Sequence, residues 1–310
     1  MKPLAYHAGQ LAAQAEAGTT RVAQKLADWV GPVPDFARGA DLIVLATPDG
    51  GGELRFTVLS GSAPLVRIVE TPELRLELPP AAVKVPLPTA CGGLAISLGL
   101  ARRARINGTL RLGASGSELL VTEAFTLCRK YIAPSVSLEP ALRVGPAVRE
   151  PVALDDPWLA DLVARAETSF LASVSPAGTP DVAHRGGKPG FLRFDPGERR
   201  LDWTEFVGDG VFKSAGNVRA TGTMALLVPD LASGDGAVLL GRGEYATDAA
   251  QRTQREDALV QHREEFPPQG RMSCTITRAE RLPGLLQPRE RIARAPRITS
   301  RSTVPEQKPR

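Results

Sequence analysis

The chain has 310 residues, a net charge of +4 and 43% hydrophobic residues, enough for packed cores in two domains rather than one. Its three cysteines are far apart with no C-x-x-C pair, which argues against a disulfide framework and reads as reduced thiols in a cytoplasmic protein. Three histidines without metal spacing, no apolar run near ~18 residues and a start without an apolar h-region give no support to zinc chemistry, membrane spanning or export.

In chain order, AGQLAAQAEAGTTRVAQKLADWV (8–30) puts Leu11, Ala15, Val22, Leu26 and Trp29 near one helical face, with Gly18 and two threonines dividing two short helices. DLIVLATPDGGGELRFTVLSG (41–61) reads as a hairpin, two β-rich runs about a Pro-Asp-Gly-Gly turn. Further strands are expected at ELRLEL, GGLAISL, RARINGTLRL and ELLVTEAFTL, a spacing of short strands and turns that favours a barrel or sandwich over alternating βαβ. Prolines at 134, 140, 146, 151 and 157 mark a linker over 134–157, long enough to pack on a neighbour. DDPWLADLVARAE then starts a helix, with Asp155 or Asp156 as N-cap and Pro157 in the first turn. Trp158, Leu159, Leu162, Val163 and Ala166 form its buried face.

A second β series follows at SFLASVSPAGTPDVAHRGG, GFLRF, RLDWTEF, TMALLVPD and AVLLGRGEYA. A charged helix, DAAQRTQREDALVQHREEF, and a last strand, RMSCTITRAERL, complete it. The closing RERIARAPRITSRSTVPEQKPR holds few large apolar residues and several prolines, and reads as a basic disordered tail over 288–310. The two halves echo each other. LATPDGGGELRF and APLVRI match ASVSPAGTPDVA and KPGFLRF, with Pro48 and Pro176 offset by 128 and Arg67 and Arg193 by 126. That is the mark of an internal duplication.

AHRGGKPGFLRF (183–194) concentrates cations on a flexible backbone. Such a stretch serves either as a solvated turn or as a loop where N–H groups and cations converge on an anion. FKS at 212–214 is not a Walker loop, because no glycine precedes Lys213.

The order of helix, hairpin, HRGGKPGFLRF, LDWTEFVGDGVFKSAGNV, TMALLVPD and VLLGRGEY resembles the pyridoxamine 5'-phosphate oxidase-like family of FMN-binding split barrels over roughly residues 5–285. GGLAISLGLARRARINGTLRL and VTEAFTLCRKYI resemble the N-terminal partner of tandem members. The resemblance implies a mainly β fold with flanking helices: two tandem Greek-key split β-barrels forming an intrachain pseudo-dimer that covers strand edges and apolar surface. The expected division is 1–133 for the N-terminal helices and first barrel, 134–157 for the linker, 158–287 for the second barrel and 288–310 for the tail.

The family's flavin site, carried over residue by residue, implies charge and close backbone approach from Arg185, Gly186, Gly187 and Lys188, with His184 beside them. Ser214 and Asn217 stand where relatives hold phosphate or ribityl at a helix start, and Lys213 adds charge. Arg103 and Arg105 share one face of a strand, Arg102 the other, and that pair or its opposite face reaches the groove. Lys130 and Tyr131 resemble the family's groove-side lysine and tyrosine, and Trp203 and Phe206 either wall the ring or fill the core. Relatives commonly carry Asn and often Arg where this chain has Asp209 and Gly210, a departure that weakens the expected grip on phosphate.

The resemblance therefore implies a cytoplasmic FMN-dependent oxidoreductase, passing hydride or electrons between NAD(P)H or a small organic substrate and an acceptor or O₂. No side chain stands out as catalytic. The alternative is a flavin-free or flavin-storing protein that binds an anionic ligand without turnover. A homodimer of whole chains is compatible with either. Nucleic acid is not an expected partner, because no basic platform interleaved with aromatics is present.

Overall fold

The computed structural model describes residues 4–27, 31–70, 73–80, 82–114, 116–146, 148–206, 208–247 and 268–293. The expected helix over 248–266, Trp29 and the tail beyond residue 293 lie outside them. Two short helices open the chain, α1 (Ala8–Glu16) and α2 (Thr20–Ala27), followed by α3 (Val33–Arg38). The first barrel is β1 (Leu42–Pro48), β2 (Leu54–Ser60), β3 (Arg67–Glu70), β4 (Leu74–Glu77), β5 (Thr89–Ser97), β6 (Arg102–Gly113) and β7 (Gly116–Thr126). After β8 (Ser135–Ser137), β9 (Arg143–Gly145) and β10 (Glu150–Val152), helix α4 (Pro157–Arg165) leads into the second barrel. That barrel is β11 (Thr168–Val174), β12 (Pro180–Gly186), β13 (Arg193–Asp195), β14 (Arg200–Phe206), α5 (Lys213–Thr221), β15 (Thr223–Pro229), β16 (Gly236–Ala246) and β17 (Pro268–Leu282), with β18 (Arg289–Arg291) after it.

The two sheets repeat one topology. The first runs β3-β4-β7-β6-β5-β1-β2 with β9 added at the edge, and the second runs β13-β14-β17-β16-β15-β11-β12 with β10 on β17. The registers repeat too: Val44 pairs Leu94 as Phe170 pairs Leu227, and Leu94 pairs Arg105 as Leu227 pairs Val238. Both halves are thus split barrels, and the duplication read from the prolines and arginines is a duplication of fold.

Strand alternation divides each barrel's residues between two cores. Ile43, Leu45, Ala95 and Ile106 fill the first barrel, and Leu171, Leu226, Leu239 and Ile276 fill the second. The alternate residues of the same strands meet in a third core between the barrels. There Val44, Ala46, Phe56 and Leu94 of the first pack with Phe170, Ala172, Val182 and Leu227 of the second. This shared core makes the chain an intrachain pseudo-dimer. Each barrel alone would leave an apolar sheet face in water.

α4 begins as expected, with Asp156 accepting from the Trp158 N–H at 2.9 Å and Pro157 at the first helical position. Trp158 is only half-buried, with the Arg281 guanidinium 4.7 Å from its ring centre. Three readings of the sequence are corrected. The 134–157 stretch is not a bare linker: β9 extends the first sheet beside β2, and β10 joins the second on β17. The tail does not begin at 288, because Arg289–Arg291 pair with Ser135–Ser137 and the Arg289 guanidinium is buried on Ser135 and Asp41.

The third correction concerns the N-terminal helices. α1 packs on α5 of the second barrel and α2 against α1, and their buried face is Gln10, Ala13, Gln14, Ala23 and Ala27, while Leu11, Ala15 and Val22 are exposed. The fully buried Asn217 amide decides the face. Its Oδ1 accepts from Gln10 Nε2 at 3.0 Å and from His7 Nε2 at 2.9 Å, and Gln14 Nε2 donates to the Val211 carbonyl at 2.8 Å. A buried amide without partners costs more than exposing two aliphatic side chains.

Candidate functional site

At one end of the seam between the barrels lies a groove of about 310 Å³. The second barrel supplies β12 and the loop after it, the end of β14, residues 208–212 and the start of α5. The first supplies β6 and the segment after β7. The lining holds seven cationic side chains, Arg103, Arg105, Arg185, Lys188, Arg193, Lys213 and Arg291, against the carboxylates Glu167, Glu205 and Asp209. Tyr131, Phe191, Phe206 and Phe212 add aromatic wall, with the Tyr131 and Phe206 rings 6.1 Å apart. α5 opens into this lining without a side-chain cap, so no side chain at the N-cap takes its first N–H groups, and its positive dipole end faces the groove.

Beneath the groove a polar network joins the barrels. Asp181 is fully buried and ion-paired to Arg105, and it accepts from Asn107 Nδ2 at 2.9 Å and Ser214 Oγ at 3.2 Å. Asn107 Nδ2 also donates to Glu123, whose other oxygen takes Lys213 Nζ at 2.8 Å. Burial alone would raise the Asp181 pKa, but the charges of Arg105 and Lys213 outweigh it and hold the carboxyl below its ordinary value. Arg185 Nε donates to Glu205 Oε1 at 2.6 Å, and the same oxygen accepts from Trp203 Nε1 at 2.7 Å.

His184 sits on β12 in the same lining. Its Nδ1 lies 2.6 Å from Arg103 Nη1, and Arg103 also donates to the Cys128 carbonyl at 2.9 Å. Burial first, then the Arg103 and Arg185 charges, lower its pKa well below the usual imidazole value. The imidazole is therefore neutral.

Of the residues expected at a flavin site, His184, Arg185, Gly186, Gly187, Lys188, Trp203, Phe206, Lys213, Ser214, Arg103 and Arg105 all line this groove. Two do not. Asn217 faces α1, held by His7, Gln10 and Ser173, and Lys130 is outside the lining while its neighbour Tyr131 is within it. The glycines also differ from expectation. Neither Gly186 nor Gly187 has positive φ. A Cβ at Gly186 would collide with the Tyr131 carbonyl oxygen, and one at Gly187 would lie 2.7 Å from Phe191 Cβ, so both make room for protein. Gly210 does need its freedom, with φ +78°. Asp209 Oδ1 accepts from the Val211 N–H at 3.0 Å, which shapes the turn into α5.

The opposite end of the seam is built from different residues. Where the first barrel carries Arg103 and Arg105, the second carries Gly236 and Val238 by register. No helix forms among the described residues between β4 and β5, whose connection holds Pro79, Pro80, Pro86 and Pro88. Arg55, Arg149 and Arg278 converge instead on Glu280 at 3.2, 3.1 and 3.1 Å.

Asp181 and Glu123 beneath the groove, and Glu205 in its wall, are the carboxylates that sequence reasoning missed. Strand alternation puts Glu205 on the same face as Trp203, and that was the one available signal. No helix among the described residues is long and apolar enough to cross a membrane.

The fold and site define a class: a pseudo-dimer of split barrels with one cationic, aromatic-walled groove at its seam, the fold anticipated from the resemblance to pyridoxamine 5'-phosphate oxidase-like proteins. Solved structures similar to the chain include HupZ of Group A Streptococcus, at 17% identity over 42% of this chain and 95% of that one, with a TM-score of 0.32. A protein of Clostridium acetobutylicum related to general stress protein 26, of the pyridoxinephosphate oxidase family, matches at 15% identity over 43% and 90%, with a TM-score of 0.30. A FAD-binding protein of Mesorhizobium loti matches at 14% identity over 43% and 96%, with a TM-score of 0.32. No family model and no curated protein sequence matches the chain.

Proposed function

We propose that the chain is a flavin-binding oxidoreductase that holds one FMN in the seam groove. The observation that carries this reading is the excess of cationic side chains converging from both barrels on a cleft with an uncapped helix start and aromatic walls. A cofactor with a planar ring and a phosphate tail meets each of those features. The residues fit the group in another respect: buried N–H donors of His184 and Arg105 in the lining have no partner in the protein.

In this role Arg185 and Arg193 neutralise the phosphate, the start of α5 offers backbone donors, and Tyr131 and Phe206 flank the ring. A bound flavin would supply hydride acceptance and release. The protein's share is position, exclusion of water and charge. NAD(P)H as donor and a small organic molecule as substrate complete the proposal.

A specific observation favours the second reading, an anion-binding protein without turnover. Arg105, Lys213 and Arg185 are each already ion-paired, to Asp181, Glu123 and Glu205, which leaves less charge for a phosphate than the count of cations suggests. One titration separates the readings. The purified protein is mixed with FMN, FAD and inorganic phosphate, following flavin fluorescence, visible absorption and melting temperature. FMN quenching with a thermal shift, stronger than with FAD, followed by bleaching with NAD(P)H, supports the oxidoreductase. A shift with phosphate and none with flavins supports the binding protein.

A further inference from the structure

His184 and Arg105 come from different barrels, line the same groove and are both more than nine-tenths buried. Each has one N–H group without a partner: Nε2 of His184 and Nε of Arg105. The protonation of His184 follows from its neighbour. A guanidinium has donors only, so Arg103 Nη1 donates to His184 Nδ1, which must carry the lone pair. The neutral ring then keeps its proton on Nε2, and that nitrogen is a donor. Arg103 thus acts as a tautomer lock, itself anchored on the carbonyls of Cys128 and Lys130.

We propose that His184 and Arg105 form an acceptor-reading pair at the seam of the barrels, which takes proton-free oxygen or nitrogen atoms of the bound ligand. The chemistry selected is a ring carbonyl or an oxyanion, and a ligand presenting N–H or O–H at that point is rejected. A buried N–H is costly to leave unmatched, so the pair discriminates by what it lacks as well as by what it binds. The pair sits where α5 and the loop after β12 meet the first barrel, so its ligand touches both halves of the chain. This inference rests on the seam groove being the ligand site.

The test uses the full chain with riboflavin, FMN and inorganic phosphate as probes, and the variants His184→Phe and His184→Gln. Side-chain ¹⁵N NMR of the parent should show His184 as the Nε2–H tautomer throughout pH 5–8, with its Nε2 resonance moving when a probe binds. His184→Phe should weaken binding by about 5- to 100-fold and also lower the apo melting temperature, because Arg103 Nη1 loses its acceptor, and His184→Gln, which restores both a donor and an acceptor, should recover part of each. Loss with riboflavin and FMN alike assigns the acceptor to the ring, whereas loss with FMN and phosphate but not riboflavin assigns it to the phosphate. An Nδ1–H or imidazolium form at pH 7, or unchanged affinity of His184→Phe for every probe the parent binds, overturns the pair. If that second result comes with tight FMN binding by the parent, the flavin reading stands. If phosphate alone binds and moves Nε2, the flavin reading falls and the pair stands.

Discussion

Arg55 and Asp181 occupy the same position in the two copies of the barrel: Arg55 pairs with Thr47 on β1 as Asp181 pairs with Ser173 on β11. They carry opposite charges, and each reaches across the seam, Asp181 to Arg105 and Arg55 to Glu280. At the Asp181 end the network forms the floor of an open groove. At the Arg55 end three arginines close on one glutamate, among them Arg149 from just before β10. The duplication gives the seam two equivalent ends, and only one carries the arginines and the helix start that line the groove. Binding should therefore saturate at one flavin per chain, read by calorimetry or by flavin released on denaturation. Two per chain would show that the Arg55 end binds as well.

The Asp181–Arg105 pair also ties stability to pH. The Asp181 carboxyl titrates below its ordinary value, because its cationic neighbours outweigh burial. A depressed pKa means the folded state holds the proton less tightly than the unfolded one. Its contribution is thus complete above the unfolded value near 3.8 and is lost as pH falls through the lower folded value. Asp181→Asn should cost about 3–5 kcal/mol at pH 7, since it leaves Arg105 buried without its charge partner. It should also flatten the acid limb of the stability curve below about pH 4. Urea unfolding of both proteins between pH 3 and pH 7 checks this.

The two-barrel plan was legible because its signals are local: a turn that makes a hairpin, a proline that opens a helix, a repeat of Pro48 and Arg67 at Pro176 and Arg193. The cationic stretch at 184–188 stood out for the same reason, although its first three residues close β12 rather than form a loop. What depends on contacts across the seam was not. Nothing near Asp181 in sequence shows that Arg105 will lie against it, and nothing near Asn217 shows that Gln10 will cover it. The helical face of α1 was misread on that account. Hydrophobic spacing favoured Leu11, but the partner surface on α5 asks for amides.

That packing gives its own test. A Cβ at Gly216 of α5 would lie 2.5 Å from Gln10 Cα and 2.6 Å from its backbone nitrogen, so the side chain would push α1 off rather than bend a flexible neighbour. Gly216→Val should destabilise the protein by about 1–3 kcal/mol and expose residues 4–18 to protease. Leu11→Ser, on the exposed face of the same helix, should be nearly silent. Limited proteolysis with melting curves distinguishes the two, and equal effects would mean that α1 packs differently.

The last prediction concerns Arg185, whose charge is shared within the groove. It donates to Glu205 Oε1, which also accepts from Trp203 Nε1, so the guanidinium that would meet a phosphate already faces a carboxylate. Removing either member has an opposite effect on anions. Arg185→Ala deletes one charge-assisted contact and leaves Glu205 uncompensated in the wall, so FMN affinity should fall by more than the roughly 10- to 150-fold expected for the lost contact alone. Glu205→Gln keeps an oxygen for Trp203 Nε1 and releases Arg185 from its counter-charge, so FMN and inorganic phosphate should both bind several-fold more tightly. Lys188→Ala serves as the control, because Lys188 is exposed and an exposed charge contributes little. The measurements are dissociation constants for FMN and phosphate at two salt concentrations. If Glu205→Gln weakens both ligands as Arg185→Ala does, the ion pair is a structural brace of the groove wall, and the anion is held by the start of α5 and Arg193 instead.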